Sequence, residues 1–215
     1  MSKIARSNRL IYMMRKSMRL PAVLLIALLA VSSLVSCKKS SDDSLDFATL
    51  LVLATFRDNG NGTVSAPGGY TIAKCAYGQV WNAALNNCAG TGSSSTYGAQ
   101  SLAYCTVANS CHDAALNASS GPAFAACSTY SVSSITGWRL PTVAELQAMT
   151  SSLSRSSLIL LFTQTPDDKY FWSRETNPNK SDYSEAYGIS FADSTFGDKT
   201  SYNKVSVPLY VRCVK

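Results

Sequence analysis

The stretch at residues 137–147 constrains the fold of this 215-residue chain more than any other part of its sequence. Pro141 cannot lie inside a helix and biases the residue before it toward an extended backbone, so an extended segment should end there. Thr142 and Glu145 have the spacing of a capping box, in which each side chain accepts a hydrogen bond from an N–H group at the start of a helix. The pattern predicts a helix that begins at Val143.

Apolar residues on both sides of this joint indicate that it is buried. Val143, Leu146 and Met149 recur at helical spacing and therefore share one face of the expected helix. Trp138 and Leu140 give the incoming extended segment a large apolar area to bury beside that face. We expect the joint to form part of the core.

The N-terminus has the pattern of a bacterial export signal. Basic residues precede an apolar run at residues 20–31, which is shorter than the ~20 apolar residues that span a membrane. The sequence Leu-Val-Ser-Cys at residues 34–37 resembles a lipobox, whose cysteine is acylated and becomes the mature N-terminus. We expect residues 1–36 to be removed as a lipoprotein signal peptide, with residues 37–53 as a lipidated N-terminus and tether. The alternative is a plain signal peptide with an incidental cysteine at Cys37.

Removal of the signal changes the charge of the chain. The full sequence has 19 Lys and Arg against 13 Asp and Glu, and six of the basic residues but no acidic ones precede Cys37. The mature chain therefore has 13 residues of each sign and lacks the basic footprint of a nucleic-acid-binding domain. Lys38 stands where many lipoproteins retained at the inner membrane carry an Asp. The expected location is thus the outer membrane, lipid-anchored, with exposure at the cell surface left open.

Six cysteines follow Cys37, an even number that in an exported chain predicts disulfide bonds. They are Cys75, Cys88, Cys105, Cys111, Cys127 and Cys213. Cys75 and Cys88 would close a small hairpin region. A bond between Cys111 and Cys127 would stabilise residues 109–134, an Ala- and Ser-rich segment that we interpret as an insertion. A zinc site formed by the cysteines around His112 is the rival interpretation, but the spacing fits no standard site.

Turn dipeptides and alternating residues predict further elements. Two Asn-Gly pairs at residues 58–62 predict a hairpin turn, because its central residues need positive φ. The alternating Asp and Asn oxygens there also suggest a calcium loop, but no later Glu completes the EF-hand spacing. Gly68 and Gly69 predict a second turn. Strands are expected at residues 70–75, 78–81, 170–173, 186–191 and 205–214, and a helix at 97–107.

Four blocks of sequence occur in a characteristic order, at residues 56–64, 137–146, 171–173 and 211–215. Over roughly residues 54–215 the chain resembles the Lcl C-terminal domain family. The resemblance implies an α+β, C-type lectin-like fold, with two helices packed on a twisted antiparallel sheet, disulfide-stapled, and the first and last strands adjacent. The family is named after the tip of a collagen-like bacterial adhesin that binds sulfated polysaccharides.

The resemblance also implies a disulfide pairing and a candidate ligand loop. In that fold a cysteine of the first helix bonds one of the last strand, which implies a Cys105–Cys213 bond and leaves Cys111 to Cys127. Calcium-dependent lectins of this fold use a Glu-Pro-Asn type motif, whose counterpart here is a loop with four candidate residues, Glu175, Asn177, Asn179 and Asp182. The Trp-Asn-Asp motif that completes such a site is missing, so no metal or cofactor is expected.

The residues favour a binding module over an enzyme. A Ser/His/Asp mechanism needs a positioned histidine, and the single histidine lies in the expected insertion. Arg139, Arg212, Trp138 and Trp172 are better explained as structural, largely buried residues than as ligand contacts. We expect a lipid-anchored, adhesin-like cell-envelope module that recognises glycans or host matrix. The alternative is a structural or assembly lipoprotein that binds another envelope protein.

Lipid attachment predicts a clear effect of one substitution. Cys37→Ser removes the thiol that would be acylated, so we expect the protein to lose labelling by a palmitate analogue and to leave the membrane fraction. The control variant Ser36→Ala keeps the cysteine and a small residue before it, and should label like the wild type. Undiminished labelling of Cys37→Ser would contradict the assignment.

Overall fold

The computed structural model describes residues 55–90 and 96–215, all within one compact unit, Phe47–Lys215. The predicted signal peptide, Cys37 and the tether lie outside the described residues. The described part has three helices, one short 3₁₀ turn and two sheets, which makes the architecture α+β. No helix in the described part is long and apolar enough to cross a membrane.

A three-stranded antiparallel sheet starts the described chain. Its strands are β1 (Arg57–Asp58), β2 (Thr63–Ser65) and β3 (Thr71–Ala73), in the order β1-β2-β3. Strands β1 and β2 pair antiparallel on either side of residues 59–62, so the predicted hairpin turn is confirmed, with positive φ at Gly60 (69°) and Gly62 (83°) but not at the asparagines. The turn predicted at Gly68 and Gly69 is confirmed between β2 and β3.

The helices are α1 (Pro122–Ser128), α2 (Val143–Ser152) and α3 (Arg155–Leu161). Helix α2 begins at the predicted residue. The Glu145 N–H donates to Thr142 Oγ1 at 3.1 Å, and the Thr142 N–H donates to Glu145 Oε2 at 2.7 Å, so both bonds of the capping box are present. Ser154 caps α3 by accepting from the Ser157 N–H at 3.2 Å.

Arg139 strengthens the same joint. Its guanidinium donates to both carboxylate oxygens of Glu145, at 2.6 and 2.8 Å, in a bidentate pair. Burial raises the pKa of the Glu145 carboxyl, but the hydrogen bonds from Arg139 and Thr142 outweigh it and the net pKa lies below the ordinary value. The predicted pairing of Arg139 with Glu145 is confirmed, but the Arg139 side chain is 38 % exposed rather than buried.

A five-stranded sheet forms the centre of the domain. Its strands are β4 (Ser101–Leu102), β5 (Tyr170–Thr176), β6 (Glu185–Ser190), β7 (Lys199–Asn203) and β8 (Leu209–Tyr210). The spatial order is β4-β8-β5-β6-β7, and every pair is antiparallel except β5 with β8. The last strand therefore lies inside the sheet.

Alternate residues of β5 belong to two different core clusters, because successive side chains of a strand point to opposite faces. Phe171 packs with Leu146 and Met149 of α2. Trp172 packs with Tyr104 and with the residues around α1, and its ring lies 5.3 Å from that of Tyr104. The sheet is thus covered by α2 on one face and by the segment around α1 on the other.

Three predicted elements differ from the structure. The helix predicted at 97–107 is wrong, since this segment contains turns and β4, whose residues pair with β8. The helix lies instead at α1, within the segment that was interpreted as an insertion, and Pro122 at its first position fits a helix start. The strand predicted at 78–81 is a turn with one isolated bridge, and the strand predicted at 205–214 is limited to β8 at Leu209–Tyr210 and one isolated bridge residue, Val214.

The described residues contain three disulfides, but only Cys75–Cys88 has the predicted partners. The other two bonds are Cys105–Cys111 and Cys127–Cys213, so the expected pairs Cys105–Cys213 and Cys111–Cys127 are wrong. The physical reason is the position of α1. A cysteine of the first helix does bond the C-terminal segment, as the resemblance implied, but that helix carries Cys127 rather than Cys105.

The C-terminal segment joins separate parts of the fold. Val214 exchanges backbone hydrogen bonds with Arg139, and it lies opposite Ile72 of β3 in an isolated bridge. Arg212 is fully buried between the rings of Phe162 and Phe171, at 4.7 and 5.4 Å from its guanidinium carbon. Its predicted structural role is confirmed.

Candidate ligand-binding site

Polar side chains of the candidate ligand loop between β5 and β6 form many hydrogen bonds within the protein. Asn177 is buried, and its Oδ1 accepts from the Asn179 N–H at 3.0 Å and from the Tyr187 hydroxyl at 2.8 Å. Its Nδ2 donates to Ser201 Oγ at 3.1 Å. The side chain of Asn177 therefore holds the loop in place against β6 and β7.

Two other members of the loop have internal partners as well. Glu175 Oε1 accepts from the Val143 N–H at 2.9 Å, at the start of α2. Asp182 Oδ1 accepts from the N–H and the hydroxyl of Ser184, and these hydrogen bonds lower the pKa of the Asp182 carboxyl. Within the described residues no three His, Cys, Asp or Glu side chains converge as they would around a metal ion. The use of this loop as a ligand site stays a prediction.

A second surface feature was not predicted from the sequence. A groove of about 320 Å³ lies between the loop that follows β3 and the segment that follows α1. We call it the Trp81 groove; it is lined by Gln79, Val80, Trp81, Tyr130, Ser131, Val132 and Ser133. Its two sides come from segments about 50 residues apart in the chain, which the sequence alone does not bring together.

Gly62 allows the two sides of the Trp81 groove to meet. A Cβ atom at this position would lie 2.6 Å from Val132 Cγ2 and 3.1 Å from the ring of Trp81. The φ of +83° also disfavours any other residue there. Ser133 fixes the other side by donating its hydroxyl to the carbonyl of Asn61 at 2.7 Å. The Asn-Gly turn thus supports the base of the groove.

Lys74 lies beneath the groove and is not available to a ligand. It is only 2 % exposed, and its ammonium group lies 5.3 Å from the centre of the Trp81 ring. Its Nζ donates to Asp58 Oδ2 at 2.5 Å and to the carbonyl and the side chain oxygen of Asn86. Burial raises the pKa of the Asp58 carboxyl, but hydrogen bonds from Lys74, Gly60 and Asn86 outweigh it and the net pKa is lowered.

Trp81 differs from the other two tryptophans. Trp138 and Trp172 are 3 % and 0 % exposed, and their indole N–H groups donate to the carbonyls of Ile135 and Leu102, both at 2.8 Å. These two residues are core, as predicted. Trp81 is partly exposed and packs against the edge of the core cluster, so a ligand in the groove can contact it.

A further exposed feature of the described residues is an apolar surface on α3. A shallow cavity of about 480 Å³ is lined by Ser156, Ile159, Leu160, Thr163 and Gln164. Leu160 is 78 % exposed, and the neighbouring Ile159 is partly exposed, so two apolar side chains of α3 lie beside each other at the surface. We call this surface the α3 apolar patch.

Lys204 is a buried amine without an acidic partner among the described residues. Its Nζ donates to the carbonyl of Ser110 at 3.3 Å and lies 3.2 Å from Nδ1 of His112. The ring of Tyr104 covers it at 5.3 Å. Burial lowers the pKa of Lys204 from 10.5 to about 8. Because it is buried, we assign it to holding the Cys105–Cys111 loop rather than to ligand contact.

This pKa predicts a dependence of stability on pH. Between about pH 8 and 10.5 the unfolded chain binds more protons at Lys204 than the folded chain, so the wild type should gain stability as pH rises through this window. Lys204→Met should lack that gain, as measured by urea unfolding at roughly pH 8, 9 and 10, all of which lie in this window. Lys199→Met, at an exposed lysine of β7, should keep the wild-type slope. Parallel curves for wild type and Lys204→Met would contradict the assignment.

Comparison with known proteins gives one match. No curated protein and no solved structure matches the chain. The model of the Lcl C-terminal domain family matches residues 69–215, which is more than half of the sequence and includes all three helices and the five-stranded sheet. The boundary predicted at residue 54 stays a prediction. On the strength of this match, the chain belongs to the Lcl C-terminal domain family.

Proposed function

We propose that the protein is a lipid-anchored cell-envelope module that binds glycans through the Trp81 groove. The export and lipidation pattern at residues 1–37 supports the anchor, and it favours the outer membrane as the location. The chain belongs to the Lcl C-terminal domain family, and the adhesin after which that family is named motivates a binding role. The observation that carries the proposal is a groove in which a partly exposed tryptophan lies beside hydroxyl groups.

The chemistry of the groove suits a sugar ring. A pyranose has an apolar face that packs on an aromatic ring, while its hydroxyl groups need polar partners at the edge. Trp81 and Tyr130 supply the aromatic surface, and Ser131 and Ser133 supply hydroxyl groups. A volume of about 320 Å³ lies at the low end of ligand sites. The groove would therefore hold one or two sugar residues of a longer chain.

A glycan array tests the proposal with matched variants. The full-length protein, purified in detergent, should bind a subset of glycans, and Trp81→Ala should weaken that binding at least about tenfold because it removes the stacking surface. Tyr183→Ala removes an aromatic side chain that is 38 % exposed in the β5–β6 loop, and should bind like the wild type.

Two results would contradict the proposal. Empty spots for the wild-type protein, with and without calcium, would argue against glycan recognition altogether. Binding that survives Trp81→Ala but is lost in Tyr183→Ala or Asn179→Ala would move the site from the groove to the predicted ligand loop.

The α3 apolar patch favours the alternative function, a structural or assembly lipoprotein that binds another envelope protein. Cross-linking in intact cells followed by purification would then recover one stoichiometric partner. That partner should be lost in Leu160→Asp and kept in Trp81→Ala. The opposite pattern, or the absence of any partner from both variants and the wild type, would count against this alternative.

A further inference from the structure

We propose that the Trp81 groove selects neutral saccharides over sulfated or otherwise anionic ones. This inference rests on the proposed function, because it names the class of glycan that the same groove would take. It differs from the ligand class of the adhesin after which the family is named, and it follows from the distribution of charge around the groove.

The lining of the Trp81 groove carries no formal charge at neutral pH. The lining consists of one glutamine, two valines, one tryptophan, one tyrosine and two serines. An anionic group that enters such a lining loses part of its hydration and gains no opposite charge, which disfavours binding. A neutral hydroxyl loses far less, because neutral hydrogen bonds replace those it made with water.

Lys74, whose ammonium lies 5.3 Å from the centre of the Trp81 ring, cannot supply the missing charge. The Lys74 ammonium has three N–H donors, and all three have acceptors within 3.1 Å: Asp58 Oδ2 and the two oxygens of Asn86. The pair with Asp58 also neutralises its charge at 2.5 Å. A sulfate group would have to displace a carboxylate from a buried ammonium, and nothing in the groove compensates that loss.

A second cation near the groove is also committed. Arg212 acts electrostatically on Tyr130, but it is fully buried. Its Nη1 donates to the carbonyls of Ala73 and Lys74, and its Nη2 donates to Thr165 Oγ1 at 2.7 Å. The Nε–H has no hydrogen-bond partner but is buried with the rest of the side chain, so the guanidinium presents no exposed donor to the groove.

The groups that do face a ligand are suited to neutral hydroxyls. Ser131 is exposed and makes no side-chain hydrogen bond within the described residues. Ser133 uses its proton on the carbonyl of Asn61 at 2.7 Å, so its oxygen is left to accept. The partly exposed Tyr130 ring packs edge-on against Trp138 at 5.5 Å, which fixes its position. Together these groups offer both donors and acceptors without charge.

The three tryptophans provide a direct readout of occupancy. Trp81 is partly exposed whereas Trp138 and Trp172 are buried, so quenching of fluorescence by acrylamide should report on Trp81. The probes are four neutral disaccharides (maltose, cellobiose, lactose and N,N′-diacetylchitobiose) and a sulfated heparin disaccharide. The full-length protein in detergent is titrated with each, and Trp81→Phe, which removes the reporter but keeps an aromatic ring, is the control for the origin of the signal.

We expect at least one neutral disaccharide to protect Trp81 from acrylamide, with an affinity that changes less than about twofold between roughly 50 and 500 mM NaCl. The heparin disaccharide should give no protection. Ser131→Ala removes an exposed hydroxyl group that lines the groove and should weaken binding of the neutral ligand by about threefold to tenfold, the usual range for one neutral hydrogen bond.

Protection by the sulfated disaccharide, with an affinity that falls as salt rises, would overturn the inference and leave the proposed function intact. The inference would also be overturned if none of the probes protected Trp81 from acrylamide and if Trp81→Ala abolished array binding to anionic glycans only. An empty array would instead remove the proposed function itself, so the two failures are distinguishable.

Discussion

The fold depends on the last five residues of the chain, which hold together segments that are far apart in sequence. Cys213 is bonded to Cys127 of α1, and Val214 pairs through its backbone with Arg139 just before α2. The chain end is completed by backbone hydrogen bonds between Lys215 and Thr71 of β3. A C-terminus usually frays unless it is docked. Here it is the element on which both sheets and two helices converge.

Arg212 anchors this segment to the core through its buried guanidinium. A buried guanidinium without a carboxylate is costly, and burial lowers the pKa of Arg212 to about 9. Five hydrogen-bond donors in a fixed plane nevertheless let one side chain satisfy carbonyls at the end of β3 and a hydroxyl after α3 at once. The rings of Phe162 and Phe171 cover its faces. An apolar residue of similar size would pack but would leave those carbonyls without partners.

Local signals predicted local structure, and contacts between distant segments decided the rest. The capping box at Thr142 and the Asn-Gly turn were predicted because each is specified by neighbouring residues. The helix expected at 97–107 was wrong because β4 pairs with β8, a contact more than 100 residues away in sequence. The partners predicted for Cys105 and Cys127 were wrong because they too depend on contacts between distant segments. The Trp81 groove depends on Gly62 beneath two separate segments, and no sequence pattern marks that contact.

The most direct test of this account is a map of the disulfides in the oxidised protein. Cleavage after Tyr104, Phe124, Tyr130 and Arg212 separates the three relevant peptides, residues 105–124, 125–130 and 213–215. The structure predicts that peptide 213–215 is linked to 125–130, through Cys213 and Cys127, and that peptide 105–124 carries an internal bond. A link between 213–215 and 105–124 would contradict the position of α1 and the role of the C-terminal segment.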